Sequence, residues 1–127
     1  MKKTASLVAT TAIAVGTVAA VATPANAFEV EREKSKRCSL RAFATLSLEK
    51  EFGRVDADFE IENAPAGRSW NVRIKRNGKT VLHTKRVADH EGEVDVMQQV
   101  RDRRGKDRFI ARATGPNGEV CRVRLSI

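Results

Sequence analysis

Arg73 and Lys75, Arg108 and Arg112, and Arg122 and Arg124 stand two or four residues apart in three separate stretches of the chain. In extended backbone that spacing puts each pair on one face, because side chains alternate with a period of two. A guanidinium presents a planar fork of donors that matches phosphate and carboxylate oxygens. If the three stretches share a sheet, these six side chains are candidates for one anion-binding surface. A nearby stretch has the opposite sign: Asp56, Asp58, Glu60 and Glu62 alternate along it. Such carboxylates could hold a hard cation such as Ca²⁺. An extended strand spreads its ligands apart, however, and cross-strand pairing or plain solvation accounts for them more simply. Asp89-His90-Glu91-Gly92-Glu93 is also acidic, lacks EF-hand spacing, and reads as a tight turn.

Catalytic constellations are missing from the pattern. Ser39, Ser47, Ser69 and Ser126 are nucleophiles only by type; none sits in G-x-S-x-G or has a recognisable base partner. His83 falls in a strand-like stretch and His90 in a turn, each alone. No phosphate-binding loop or dinucleotide-type glycine pattern occurs. The chain therefore reads as a non-enzyme, with no catalytic residue, metal ligand or cofactor expected.

The elements that must position these residues follow from length and periodicity. The chain has 127 residues, 41% of them hydrophobic and 31% charged, with a formal net charge of +8. This suits one folded domain. Residues 1–27 have the layout of a secretory signal peptide. Lys2 and Lys3 precede an uncharged, small-residue apolar run, and Ala25 and Ala27 supply an A-x-A cleavage site. An uncleaved membrane anchor is the competing reading; the weakly apolar run and the cleavage site argue against it. Cleavage leaves no membrane span and gives a secreted, extracellular chain, with association to a cell wall a further expectation. In an oxidising compartment Cys38 and Cys121 can form a disulfide. Two free or metal-binding thiols are the rival reading, poorly supported with only two histidines and no C-x-x-C.

Residues 28–37 are charged without a sustained hydropathy period and read as a flexible leader. From Cys38 onward the pattern alternates. Strands are expected at 38–48, 54–62, 69–76, 79–86, 93–98, 108–114 and 120–127, with turns at Asn77-Gly78 and Gly115-Pro116-Asn117-Gly118. In the fourth strand Leu82 is expected to face inward. Seven short alternating strands within 38–127 argue for an all-β, seven-stranded immunoglobulin-like or fibronectin-like sandwich with one disulfide. A small barrel with adjacent terminal strands is the alternative. Trp70, Phe59 and Phe109 are the expected core aromatics. Residues 38–127 resemble small secreted immunoglobulin-like β-sandwich proteins of actinomycete-type bacteria. The resemblance rests on the signal peptide, the Cys…Trp…Gly-rich turn…Cys layout and the all-β pattern. It implies a sandwich and carries over no functional residue.

In such a sandwich the first, second and fifth strands share one sheet; the third, sixth and seventh share the other. The charge map then becomes informative. Residues 28–66 hold seven basic and nine acidic residues, whereas 67–127 hold fifteen basic and seven acidic. One sheet is expected to be acidic outside. The other is expected to be basic, through Arg73, Lys75, Arg108, Arg112, Arg122 and Arg124. Arg101, Arg103, Arg104 and Lys106 add a second basic cluster at one end. Outside a cell such a face would attract wall polymers rich in phosphate, anionic headgroups or other polyanions. No aromatic lies among these cations, so sequence-specific nucleic-acid readout is not expected. A merely solvated basic surface explains the same residues. The expected function is non-catalytic binding of an anionic polymer or surface. The alternative is a protein-binding module, such as an adhesin, an inhibitor or a self-assembling subunit, that acts through loops.

Overall fold

A computed structural model describes residues 30–127; the expected signal peptide, with residues 28 and 29, lies outside the described residues. Eight strands follow in order: β1 (Val30–Arg37), β2 (Phe43–Glu51), β3 (Arg54–Glu62), β4 (Ser69–Arg76), β5 (Lys79–Val87), β6 (Val94–Arg101), β7 (Arg108–Thr114) and β8 (Val120–Ser126). They form two four-stranded sheets, β1-β2-β3-β6 and β5-β4-β7-β8, in which every pairing is antiparallel. Among the described residues no helix is long and apolar enough to cross a membrane.

The alternating sequence dictates the packing. Leu46 and Leu48 from β2, with Val55, Phe59 and Ile61 from β3, meet Trp70, Val72, Ile74, Phe109 and Val123 of the second sheet, and each is fully buried. The polar residues between them point outward, as a period of two requires. Asn77-Gly78 joins β4 to β5 with both φ angles positive, the backbone of a two-residue hairpin turn whose twist suits antiparallel strands. Gly115 has a different reason to lack a side chain. A Cβ there would stand 2.5 Å from the Trp70 ring.

Three features differ from the pattern expected from sequence, the smallest being that β6 runs from Val94 to Arg101 rather than over 93–98. The charged segment expected to be a flexible leader instead pairs along its length with β2, from Val30 opposite Lys50 to Arg37 opposite Phe43. This makes eight strands rather than seven. Its side chains are all exposed, so hydropathy carries no trace of it. The next strand begins at Phe43 rather than Cys38, and Leu40 is 56% exposed. The cause is Glu119, a buried carboxylate. Its Oε2 accepts hydrogen bonds from the backbone N–H groups of Leu40 (3.1 Å), Arg41 (2.7 Å) and Ala42 (2.7 Å). Successive N–H groups converging on one oxygen curl the backbone into an anion-holding concavity and delay the strand. At β5 the register shifts between Ile74 and Lys75, which sets Leu82 opposite Ile74 on the core side.

Cys38 and Cys121 are bonded, across 83 residues of sequence. The bond ties the β1–β2 connection of one sheet to β8 of the other. Beside it, Ser39 N–H donates to the Val120 carbonyl at 3.0 Å, and Val120 N–H donates to Ser39 Oγ at 2.9 Å.

Two outcomes follow. Replacing both cysteines by serine should lower the unfolding free energy by about 4–5 kcal/mol, the chain-entropy value for a loop of this length. Urea denaturation of the oxidised parent and the double variant measures it. Glu119→Ala should cost about 3 kcal/mol by stranding three donors, and Glu119→Gln less, since its amide oxygen still accepts; the same denaturation series ranks the two.

Candidate anion-binding face

The outer face of β5-β4-β7-β8 is built by register. Arg73 stands opposite His83 on one side and Arg112 on the other, and Arg112 stands opposite Arg122. His83, Arg73, Arg112 and Arg122 therefore form one row across all four strands. The adjacent row reads Lys85, Asn71, Thr114 and Val120; on the other side Lys75, Ile110 and Arg124 lie in line. Neighbouring strands are about 4.8 Å apart, so three arginines occupy three consecutive steps of the sheet. Like charges directly opposite each other destabilise a sheet unless a counter-charge intervenes. Among the described residues the ion pairs are Lys50 with Asp102 at 3.6 Å and Arg76 with Asp107 at 2.7 Å. Neither supplies a carboxylate to this row.

The row lines a shallow depression of about 290 Å³, shared with Asn71, Lys75, Ile110 and Thr114. Of the six expected cations, Arg73, Lys75, Arg112 and Arg122 line it. Arg124, opposite Ile110, and Arg108, opposite Ser126, lie on the same face outside the depression. His83 joins the face as well. Its ring Nε2 is 3.0 Å from Asn71 Oδ1 and can only donate there, which leaves Nδ1 to accept from Arg73 Nη2 in a long 3.5 Å contact. The imidazole thus braces Arg73 from the edge strand. His83, Asn71 and Thr114 escape a search for charge. They become visible only from cross-strand register: the shift between Ile74 and Lys75 brings His83 opposite Arg73, and the β4–β7 pairing sets Thr114 opposite Asn71.

The second basic cluster is exposed in the β6–β7 connection. Arg101 and Arg103 border a cavity of about 360 Å³ with Arg76, Asn77, Lys79, Val81 and Val100. Asp107, at the end of that connection, is paired. It accepts from Arg76 Nη2 at 2.7 Å and from Asn77 Nδ2 at 2.9 Å. Burial pushes its carboxyl up, but these hydrogen bonds and the Arg76 charge outweigh burial and hold it below the ordinary range. Arg76 also lies over the Phe109 ring, 5.9 Å from its centroid.

The outer face of the first sheet is the electrostatic opposite. Asp56, Asp58, Glu60 and Glu62 of β3 all point outward, with Glu31 and Glu33 of β1, Glu49 of β2 and Asp95 of β6 on the same side. Glu60 stands directly opposite Asp95. Asp58 is raised to about 7, first by burial, then by a hydrogen bond shared with Asp95 and by the charges of Asp95 and Glu60. Glu60 is raised too, by burial and then by the charges of Asp95, Glu62, Glu93 and Glu33. The acidic turn has its own explanation. Asp89 Oδ1 accepts from the N–H groups of Glu91 and Glu93, both at 2.9 Å, which is the local bonding of an Asx turn. Ser39 is engaged in the loop tie described above, and among the described residues no hydrogen bond joins a serine to His83 or His90.

No protein-family model matches the chain, and no curated protein matches it significantly.

The acidic face predicts a pH dependence. A free carboxyl of this type titrates near 3.9, while Asp58 in the folded chain titrates at about 7. Between these values the folded chain keeps a proton that the unfolded chain has lost, so stability falls as pH rises from about 4 to about 7. Glu60 and Glu93 act in the same direction. Asp58→Asn should flatten this decline. Urea unfolding across that interval, compared between parent and variant, measures the change in slope.

Proposed function

We propose that this is a secreted, non-catalytic binding protein that holds anionic polymers on the outer face of β5-β4-β7-β8. The observation that carries the reading is the row of Arg73, Arg112 and Arg122, directly opposite one another on three strands, to none of which a carboxylate is paired among the described residues. A run of anionic groups placed along that row offsets the repulsion that the bare face stores. Guanidinium forks favour phosphate, and several act together on a polymer. Asn71 and Thr114 beside the row offer hydrogen bonds to uncharged parts of the same ligand. The bound partner is accordingly a phosphate-rich extracellular polymer, of the kind found at a cell wall.

The same reading takes the domain as immunoglobulin-like. Strands β2, β3 and β6 lie together, and β5, β4, β7 and β8 lie together. That is the grouping expected of such a sandwich, with β1 added at one edge. A disulfide that staples the two sheets suits an oxidising, extracellular setting.

The test is retention on immobilised polyphosphate across a salt gradient. One variant carries Arg73→Ser, Arg112→Ser, Arg122→Ser and Arg124→Ser. A control loses the same charge from the end cluster, through Arg101→Ser, Arg103→Ser, Arg104→Ser and Lys106→Ser. The face variant should elute at roughly half the salt concentration of the parent or lower, with a smaller slope of affinity on salt, since fewer counterions are released. The control should elute close to the parent. Equal losses in both variants would reduce the face to net charge and overturn the proposal.

A further inference from the structure

The two outer faces match each other in more than sign. On the basic face Ile110 is half-buried. Lys75 and Arg124 are its neighbours on the flanking strands, and Arg108 and Arg112 stand two residues away on β7. It is an apolar point ringed by cations. On the acidic face Met97 is 62% exposed. Asp58 is directly opposite it; Asp95 lies two residues away on β6, with Asp56 and Glu60 on the diagonals of β3. Gln99 is the other neighbour of Met97 along β6, the edge strand, so Met97 is an apolar point bordered by carboxylates on its inner side and at one end. Both patterns are drawn on antiparallel sheets, with the same spacing of about 4.8 Å between strands and nearly 7 Å between same-face residues. Rows of charge on one face can therefore meet rows on the other without losing step.

We infer that the acidic face is a docking surface for a second copy of this chain, seating Met97 on Ile110 within the basic depression. An apolar anchor in a pocket, sheltered by a polar ring, is the arrangement that concentrates binding energy at protein interfaces. The depression of about 290 Å³ includes Ile110 in its lining, and a methionine side chain adapts readily to irregular hollows. Carboxylates crowded enough to raise Asp58 and Glu60 gain from incoming guanidinium groups, as the arginine row gains from carboxylates. The two faces lie on opposite sides of the molecule, so the contact is head-to-tail and stays open at both ends. Four strands of eight residues present about 500 Å² per side, or about 1,000 Å² in total. That is at the small end for a specific interface, so the association is weak, reversible and sensitive to salt.

Sedimentation of the protein and two variants decides the matter. Met97→Lys with Asp95→Lys spoils only the acidic face, at exposed positions. Arg112→Ser with Arg124→Ser spoils only the basic face. At about 20 mM salt, where surface charges are poorly screened, the parent's weight-average mass should climb with concentration past that of a dimer. It should return to monomer at about 0.5 M salt. Each variant alone should remain monomeric, and an equimolar mixture should form a species that stops at twice the monomer mass. A parent that stays monomeric at millimolar concentration overturns the inference. So does assembly by the Met97→Lys, Asp95→Lys variant alone, which would mean a symmetric contact elsewhere. That variant keeps the basic face intact, so its retention on polyphosphate should equal the parent's or exceed it. Failure to self-associate is thereby separated from failure to bind polyanions.

Discussion

Burial of one side of every core strand is the constraint from which the charge distribution follows. Val72, Ile74, Ala111, Ala113, Cys121 and Val123 are inside, so Arg73, Arg112, Arg122 and their neighbours have no position but outside. A slip of one residue in β4 would bring Trp70, Val72 and Ile74 into water and send Asn71, Arg73 and Lys75 into a dry core. Such a slip loses several kcal/mol of apolar burial per strand and incurs a desolvation cost for each cation. The electrostatic character of each face is therefore held in place by hydrophobic packing, although the charges themselves contribute little to stability or oppose it.

That opposition runs through both faces. The arginine row and the carboxylate ladder each place like charges at adjacent cross-strand positions, where alternating signs would have stabilised the sheet. The molecule does use such compensation elsewhere. Arg76 and Asp107 are almost completely buried as a pair, with Asn77 completing the set and bonding onward to Arg108 N–H at 2.9 Å. Glu119, equally buried, is neutralised by three backbone donors. Charges inside are matched closely, whereas charges on the broad faces are sorted by sign.

Much of this was legible in the residues. Clean alternation in 54–62, 69–76 and 108–114 gives strands with those same bounds, because each buries one side completely. The outward placement of the six cations follows from the same phase, whereas the two-sheet grouping comes from the sandwich pattern that seven such strands suggest. The missing strand, β1, shows what hydropathy cannot register. Its first residues alternate in sign rather than in polarity: Glu31 and Glu33 stand on the acidic side and Arg32, Lys34 and Lys36 on the opposite side, until Arg37 breaks the pattern on the acidic side. A strand that buries nothing can still obey a period of two. Glu119 was illegible for another reason, since its partners lie 77 to 79 residues away in sequence. The bracing of Arg73 by His83 likewise depends on cross-strand register, which no single stretch reveals.

The bond between Cys38 and Cys121 has a mechanical consequence. It joins a point just past the first strand to a point just inside the last. Tension applied between the two ends of the domain would pass through β1, cross the sulfur bridge and leave by the final residues after Cys121. The stretch between the two cysteines, which contains the whole Arg73–Arg112 part of the row, would carry almost none of that load. A domain wired this way is a covalent shunt with a sheltered interior. Arg73, His83 and Arg112 would keep their places while the two ends are pulled, whereas Arg122 and Arg124, beyond Cys121, stand in the loaded strand.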